Sequence, residues 1–417
     1  MSISLCHNSY IKAEIMKTNE RLYYLDWLRI LAFGLLFLFH AWRPFDHLPW
    51  HIKNEVNSSF FDLLTFFTHG WRMNLIFLVS GAGSWLAMRS RKEAFLKDRV
   101  KRLLIPFIFG ILVIIPPQRF YEWIMFYDFQ GSYLDFLAAY PLHQLSANMG
   151  ASLLLWFGHL GTHIWYLPFL FVMTLFTLPL LNKIRKGQIN FTWLKNIMSS
   201  KVGIFTLLLP MFIFRLALKP VFREYTDWAD FFVYVWPFLY GFIFMTDMAF
   251  IEIIKKKTSI LLNVGILSSF IFVYLALQNK EVVDLYLYPE FSLSHLGLSF
   301  LSAVIALSWI LFFVGFFAKS MNFNHKILIP ANISILPIYI LHQSLIIVFG
   351  YYIVGLDLNL YLKFALIACT AIPSSILIYK LIQTNNITRF LFGLKPQTKT
   401  KEVTLKRVYR KVTNKIA

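Results

Sequence analysis

Residues 22–42 read LYYLDWLRILAFGLLFLFHAW, an apolar run interrupted by a carboxylate at Asp26, a guanidinium at Arg29 and an imidazole at His40. About 20 mostly apolar residues are what an α-helix needs to cross the hydrocarbon core of a bilayer. An ionisable side chain inside such a span costs at least roughly 2.5–3.5 kcal/mol at the helix centre, so it pairs or lines a cavity. Asp26 and Arg29 are three residues apart on one helical face and are expected to pair. Arg29 and His40 are eleven apart, about 16 Å along the axis and about 20° from a whole number of turns, so both point the same way. One helix therefore carries a fixed cation near one membrane face and a titratable imidazole near the other.

The rest of the chain repeats the first half of that pattern. Of 417 residues, 58% are hydrophobic and only 15% charged, against roughly 45–50% and 25% in a soluble domain. This excludes disorder and argues against a soluble enzyme. Nine further segments read as spans: 69–88, 103–118, 163–181, 203–218, 228–245, 259–277, 295–317, 330–352 and 361–382. The expected fold is an all-α polytopic membrane protein, about ten transmembrane helices in a single bundle. The net charge of +19 comes from short clusters between these runs, not from one basic face, so no nucleic-acid partner is expected. With residue 1 placed inside, the inner segments hold 29 Lys and Arg and the outer segments 6. This asymmetry puts both termini in the cytoplasm. Residues 1–21 carry charges and no apolar core, and are expected to remain as a cytoplasmic segment. Residues 22–382 form the membrane domain, and 383–417 a basic cytoplasmic tail. The aromatic stretch 119–150 is expected at the interface or as a lid. Cys6 and Cys369 have no metal-ligand spacing, and no metal site is expected.

The other polar residues within the spans are the candidates for chemistry. Arg72 lies at the outer end of the second span, either anchoring it at the headgroups or facing substrate. Ser80-Gly81-Ala82-Gly83-Ser84 is a small-residue patch suited to close helix packing. His163 and Trp165 stand at the start of the fourth span, and His342 and Gln343 near the middle of the ninth. Arg99 and Arg102, three apart at the inner mouth of the third span, could grip phosphates bidentately.

These elements together resemble the acyltransferase 3 family of ten-span membrane acyltransferases. The points of likeness are YLDWLR at 24–29 with His40 beyond it, the Ser-Gly of the second span, Arg99-x-x-Arg102, HIWYL at 163–167 and YILHQS at 339–344. GWRMNLIFLVSGA at 70–82 and IIPPQRFYE at 114–122 are similar to the subgroup of glucan biosynthesis protein C, whose members are assigned succinyl transfer to periplasmic glucans. The resemblance implies an enzyme of the bacterial cytoplasmic membrane that moves an acyl group, other than an amino-acyl group, from cytosolic acyl-CoA. The acceptor is a hydroxyl of an extracytoplasmic glycan or lipid-linked carbohydrate. No permanently bound cofactor is implied; acyl-CoA is the donor substrate.

On that reading His40 is the general base, since neutral imidazole suits the task near neutral pH. Arg29 and Asp26 complete the catalytic set, with the oxyanion falling to Arg29, Arg72 or a neutral histidine; Arg99 and Arg102 bind the donor, and Arg72, His163, Trp165, His342 and Gln343 line the substrate cavity. The chemistry requires Arg29 and His40 to face one shared tunnel. A rival reading is a multi-span transporter or flippase, which suits buried Arg and His but has no need of the Arg99/Arg102 pair.

Overall fold

The computed structural model describes residues 21–90, 93–147 and 151–397. Cys6, residues 1–20 of the N-terminal segment and the tail beyond 397 lie outside them. Every regular element among the described residues is helical. Short helices at Arg43–Phe45, Thr192–Ser199, Lys280–Leu287 and Asn386–Leu391 aside, these are in chain order α1 (Tyr23–Trp42), α2 (Ser59–His69), α3 (Arg72–Ser90), α4 (Phe95–Phe126), α5 (Tyr133–Ala147), α6 (Leu153–Arg185) and α7 (Gly203–Leu218). There follow α8 (Trp228–Phe244), α9 (Ala249–Lys256), α10 (Thr258–Gln278), α11 (Leu293–Ser320), α12 (Leu328–Val354) and α13 (Leu360–Ile382).

Each of the ten expected spans falls on a helix. Among the described residues, length and apolar composition qualify seven of them to cross a membrane, or eight if α8 and α9, bent by 113° at their junction, count as one span. The two expected spans outside this count differ for physical reasons. Helix α7 covers only Gly203–Leu218. Helix α3 carries Arg72, Asn74 and the small polar patch, and it is enclosed by protein along most of its length, so it needs no apolar coat.

The small-residue patch packs a helix, as its composition suggests. Gly81 of α3 and Gly241 of α8 sit against each other's backbones. A Cβ on Gly81 would collide with the carbonyl oxygen of Phe238, and one on Gly241 with that of Leu78. Only glycine at both positions lets the two helices approach so closely. Helix α4 is wound irregularly, with π-helical stretches at Val100–Leu104 and Gly110–Ile114. Pro106, Pro116 and Pro117 each lack a backbone N–H, and wider turns are one way a helix accommodates such gaps. Ser344 of α12 donates to the Ile114 carbonyl of α4 at 2.7 Å.

Connections gather at two ends of the bundle. At one, called here the basic end, the Trp27 indole donates to the Phe323 carbonyl at 3.2 Å and Gly393 lies against Arg102. At the opposite end, residues 43–58 fold over the mouth of α1. Asp46, fully buried, accepts from Arg43 at 2.6 Å and from Thr65 at 2.9 Å, and Lys53 reaches it at 3.1 Å. Burial lowers the Lys53 ammonium below the ordinary lysine value, and neighbouring Asp46 only partly offsets this. Residues up to Phe126 continue α4, and Trp123, Phe136 and Tyr140 form a cluster, with the Trp123 and Phe136 rings 4.9 Å apart. Among the described residues of 119–150, Arg119 alone reaches the lining of the cavity described below.

Candidate active site

Three cavities border α1, and two of them hold the ionisable residues of the site. The larger, about 440 Å³, opens at the opposite end and is lined by His40, Arg72, His163, Trp165 and Gln343 among others. The smaller, about 260 Å³, lies at the basic end and is lined by Arg29, Arg99 and Arg102. Phe33, Tyr166 and Tyr339 belong to both. Their rings meet edge-on: Phe33 lies 6.4 Å from Tyr166 and 5.6 Å from Tyr339, and the two tyrosines are 6.0 Å apart. The single tunnel expected from the sequence is therefore two chambers with a three-ring partition between them.

In the larger chamber, His40 Nδ1 lies 2.8 Å from His342 Nε2, and His342 Nδ1 lies 2.6 Å from the Tyr339 carbonyl oxygen. A carbonyl can only accept, so His342 carries its proton on Nδ1 and its Nε2 is left as an acceptor. With both rings neutral, His40 donates from Nδ1 and its Nε2 lone pair remains for the chamber that His40 lines. The hydrogen-bond network thus assigns the tautomer of both histidines. Trp50, from the loop that Asp46 organises, stacks over His40 with 6.3 Å between centroids and 12° between planes.

His163 sits where α6 breaks into a tight turn, Thr162–Trp165. Thr162 has φ of +44°, a value that a β-branched residue adopts only when its surroundings force it. By the same carbonyl argument, His163 Nε2 donates to Ile340 at 3.0 Å, leaving Nδ1 to accept from Thr162, which in turn accepts from Gln118. Tyr339 donates to the His163 carbonyl at 2.6 Å. Helices α4, α6 and α12 are thereby joined by polar bonds directly behind His342. On the other flank His51 and Arg119 share Glu122, at 2.9 and 2.7 Å.

At the basic end Arg99 donates to Ser84 at 2.5 Å, its guanidinium lying 5.0 Å from the Phe95 ring. Gly83 leaves room for Arg29, whose Nη2 would stand 3.0 Å from a Cβ there. The expected Asp26–Arg29 pair is replaced by another: Asp26 binds Arg21 at 2.7 Å. The turn before α1 brings Arg21 to that carboxylate, while Arg29 turns into the smaller chamber. Asp26 lines neither chamber. His342 borders a third, apolar cleft of about 220 Å³ that also contains Tyr339, Ile372 and Ile376. It reaches the larger chamber through its bond to His40. Among the described residues no group of three His, Cys, Asp or Glu side chains converges as a metal ligand set.

Sequence reasoning missed Trp50, Asp46, Gln118, Thr162 and Tyr339. The Arg43-Pro44 step, three residues past His40, signals the end of the helix there, and Gln118 and Glu122 fall inside IIPPQRFYE, a stretch singled out without roles.

The chain matches the acyltransferase domain family over residues 22–380. It is 25% identical over 393 residues to glucans biosynthesis protein C of Escherichia coli K12 and to that of E. coli SMS-3-5, an overlap covering 91% of this chain and 96% of each relative. No solved structure matches it. An all-helical bundle with several membrane-length helices, matched by that family over nearly its whole length, places the chain in the acyltransferase 3 family, as a multi-pass membrane acyltransferase.

Proposed function

We propose that this enzyme takes an acyl group from acyl-CoA at the basic end, facing the bacterial cytoplasm, and delivers it to a carbohydrate hydroxyl in the larger chamber. The observation that carries the reading is the His40–His342–Tyr339 chain, which leaves a bare imidazole nitrogen for a chamber roomy enough for a sugar. The acyltransferase family match supports the reaction, and the alternation of basic loops supports its direction.

In the reaction, His40 Nε2 removes the proton from the acceptor hydroxyl as its oxygen attacks the thioester carbon. The carbonyl electrons move onto oxygen and return as the C–S bond breaks, and the imidazolium gives its proton to the departing thiolate. Ester and free CoA result, and His40 is neutral again. The transient imidazolium is held by the bond from its Nδ1 to His342. Arg29, Arg99 and Arg102 are suited to hold the phosphates of CoA, with its flexible arm passing between Phe33, Tyr166 and Tyr339 to bring the thioester toward His40. That relatives are named for glucan biosynthesis supports a glycan acceptor, and either acetyl or succinyl would fit as the group moved.

His40→Ala tests the reading. Transfer from radiolabelled acyl-CoA to glycan by the purified, folded protein is expected to be lost while acyl-CoA binding persists. Retained transfer would remove His40 from the mechanism.

A further inference from the structure

Three arginines line the larger chamber, and two are neutralised. Arg43 is bound to Asp46 at 2.6 Å and Arg119 to Glu122 at 2.7 Å. Arg72 is not. It is 3% exposed, its guanidinium carbon lies 3.4 Å from the centroid of the Phe39 ring, and its Nε and Nη1 have no hydrogen-bond partner. Among the described residues no carboxylate forms an ion pair with it. The groups that share its surroundings include the phenols of Tyr225, Tyr234 and Tyr286, the imidazoles of His40 and His69, and the Arg43 guanidinium; no carboxylate is among them. Glu224, which also lines the chamber, is exposed and lies toward His159.

A buried cation without a counter-charge is costly, and enclosing protein ordinarily supplies one. Phe39 provides only a ring face. Two further features add positive potential. Arg72 opens α3, a 19-residue helix whose first amides present the positive end of its dipole. Beside the chamber, sharing His69, Tyr225 and Tyr286 with it, is a side cavity of about 180 Å³ lined by Arg215, Lys219 and Arg223. Its carboxylate, Asp230, is already taken by Lys219 at 3.1 Å and by the Thr226 amide at 2.9 Å.

We infer that the larger chamber binds an anionic group, a carboxylate or phosphate ester, on Arg72, and that this charge helps select the substrate. The inference rests on the acyltransferase reading for what the anion is attached to: the far end of a dicarboxylic acyl group, or the acceptor. In either place the anion completes the guanidinium while the reacting carbon or hydroxyl stays near His40, which lines the same chamber.

Two measurements test this. The first is binding without turnover: thermal unfolding of the purified protein in nanodiscs with succinate or glucose 1-phosphate, against acetate or methyl glucoside. At least one anion is expected to raise the melting temperature of wild type, less for Arg72→Lys and not at all for Arg72→Gln. The second is transfer from succinyl-CoA and acetyl-CoA to methyl glucoside and glucose 1-phosphate. Arg72→Gln is expected to lower kcat/KM about 10- to 100-fold for the anionic member of one pair, the loss of a charge-assisted bond. The neutral member should change little. A loss confined to succinyl-CoA puts the charge on the acyl group, and one confined to glucose 1-phosphate puts it on the acceptor.

Equal losses for all four substrates, or no stabilisation of wild type by either anion, overturns the inference. Should Arg72→Gln fail to fold, the melts of wild type and Arg72→Lys decide alone. Should no transfer occur with any substrate, the acyltransferase details fail while the melts still decide on the anion.

Discussion

His342→Ala is the sharpest probe of the site, because it leaves the proposed base in place and removes only what fixes its tautomer. In the wild type, His40 Nδ1 donates to His342 over 2.8 Å in a buried setting, with both residues at most 9% exposed. Without the acceptor, that N–H becomes a buried unsatisfied donor, at about 1–3 kcal/mol. The penalty falls on the Nδ1–H tautomer alone, so His40 shifts toward the form protonated on Nε2, which cannot act as a base toward the chamber. Since 1.36 kcal/mol is a factor of ten, the productive fraction, and with it kcat, should fall about 10- to 100-fold. KM for donor and acceptor should change little. The assay is continuous detection of CoA thiol release by protein in nanodiscs, with thermal unfolding as the control for integrity. His342→Gln offers an amide oxygen to the same donor and should recover most of the rate. A His40→Ala/His342→Ala double variant should be no slower than His40→Ala, because the second residue acts only through the first. A wild-type rate in His342→Ala, or losses that multiply in the double variant, would refute the tautomer argument.

Two other variants address the frame and the donor. Gly81→Val or Gly241→Val drives a side chain into the facing backbone and should cost about 3 kcal/mol or more. It should appear as a lower melting temperature and poor accumulation, whereas Gly34→Ala, with open space around it, should melt like wild type; an unaltered Gly81→Val melt would disprove the close packing. Arg99→Ala and Arg102→Ala should each weaken CoA binding by about tenfold or more in calorimetry with acceptor KM unchanged, and matching losses on both sides would point to misfolding.

How much of this was legible beforehand depended on whether a local rule governed it. Arg29 and His40 reach chambers on one side of α1 because helical geometry alone fixes their bearing. The packing role of Gly81 was readable because small residues in a span have few other uses. The ion pair of Asp26 was misread: spacing favours Arg29 equally well, and only the path of the chain before α1 gives Arg21 the carboxylate. His342 was identified as polar and central, yet its partner His40 lies 302 residues away, and no periodicity reports such a distance. The partition escaped notice for a similar reason. Phe33, Tyr166 and Tyr339 are ordinary membrane-helix residues one at a time, and three separate helices bring them together.

That partition has an electrical consequence. Where conducting solution enters a protein from both sides, most of the voltage across the membrane drops over the thin layer that remains, here three aromatic rings. Carrying one elementary charge through the full drop is worth about 2.3 kcal/mol per 100 mV. With the basic end facing the cytoplasm, as proposed above, and a donor whose acyl group bears a carboxylate, an interior held negative would push that group toward His40, so turnover in energised vesicles should exceed turnover in depolarised ones. An uncharged acetyl group would feel no such push.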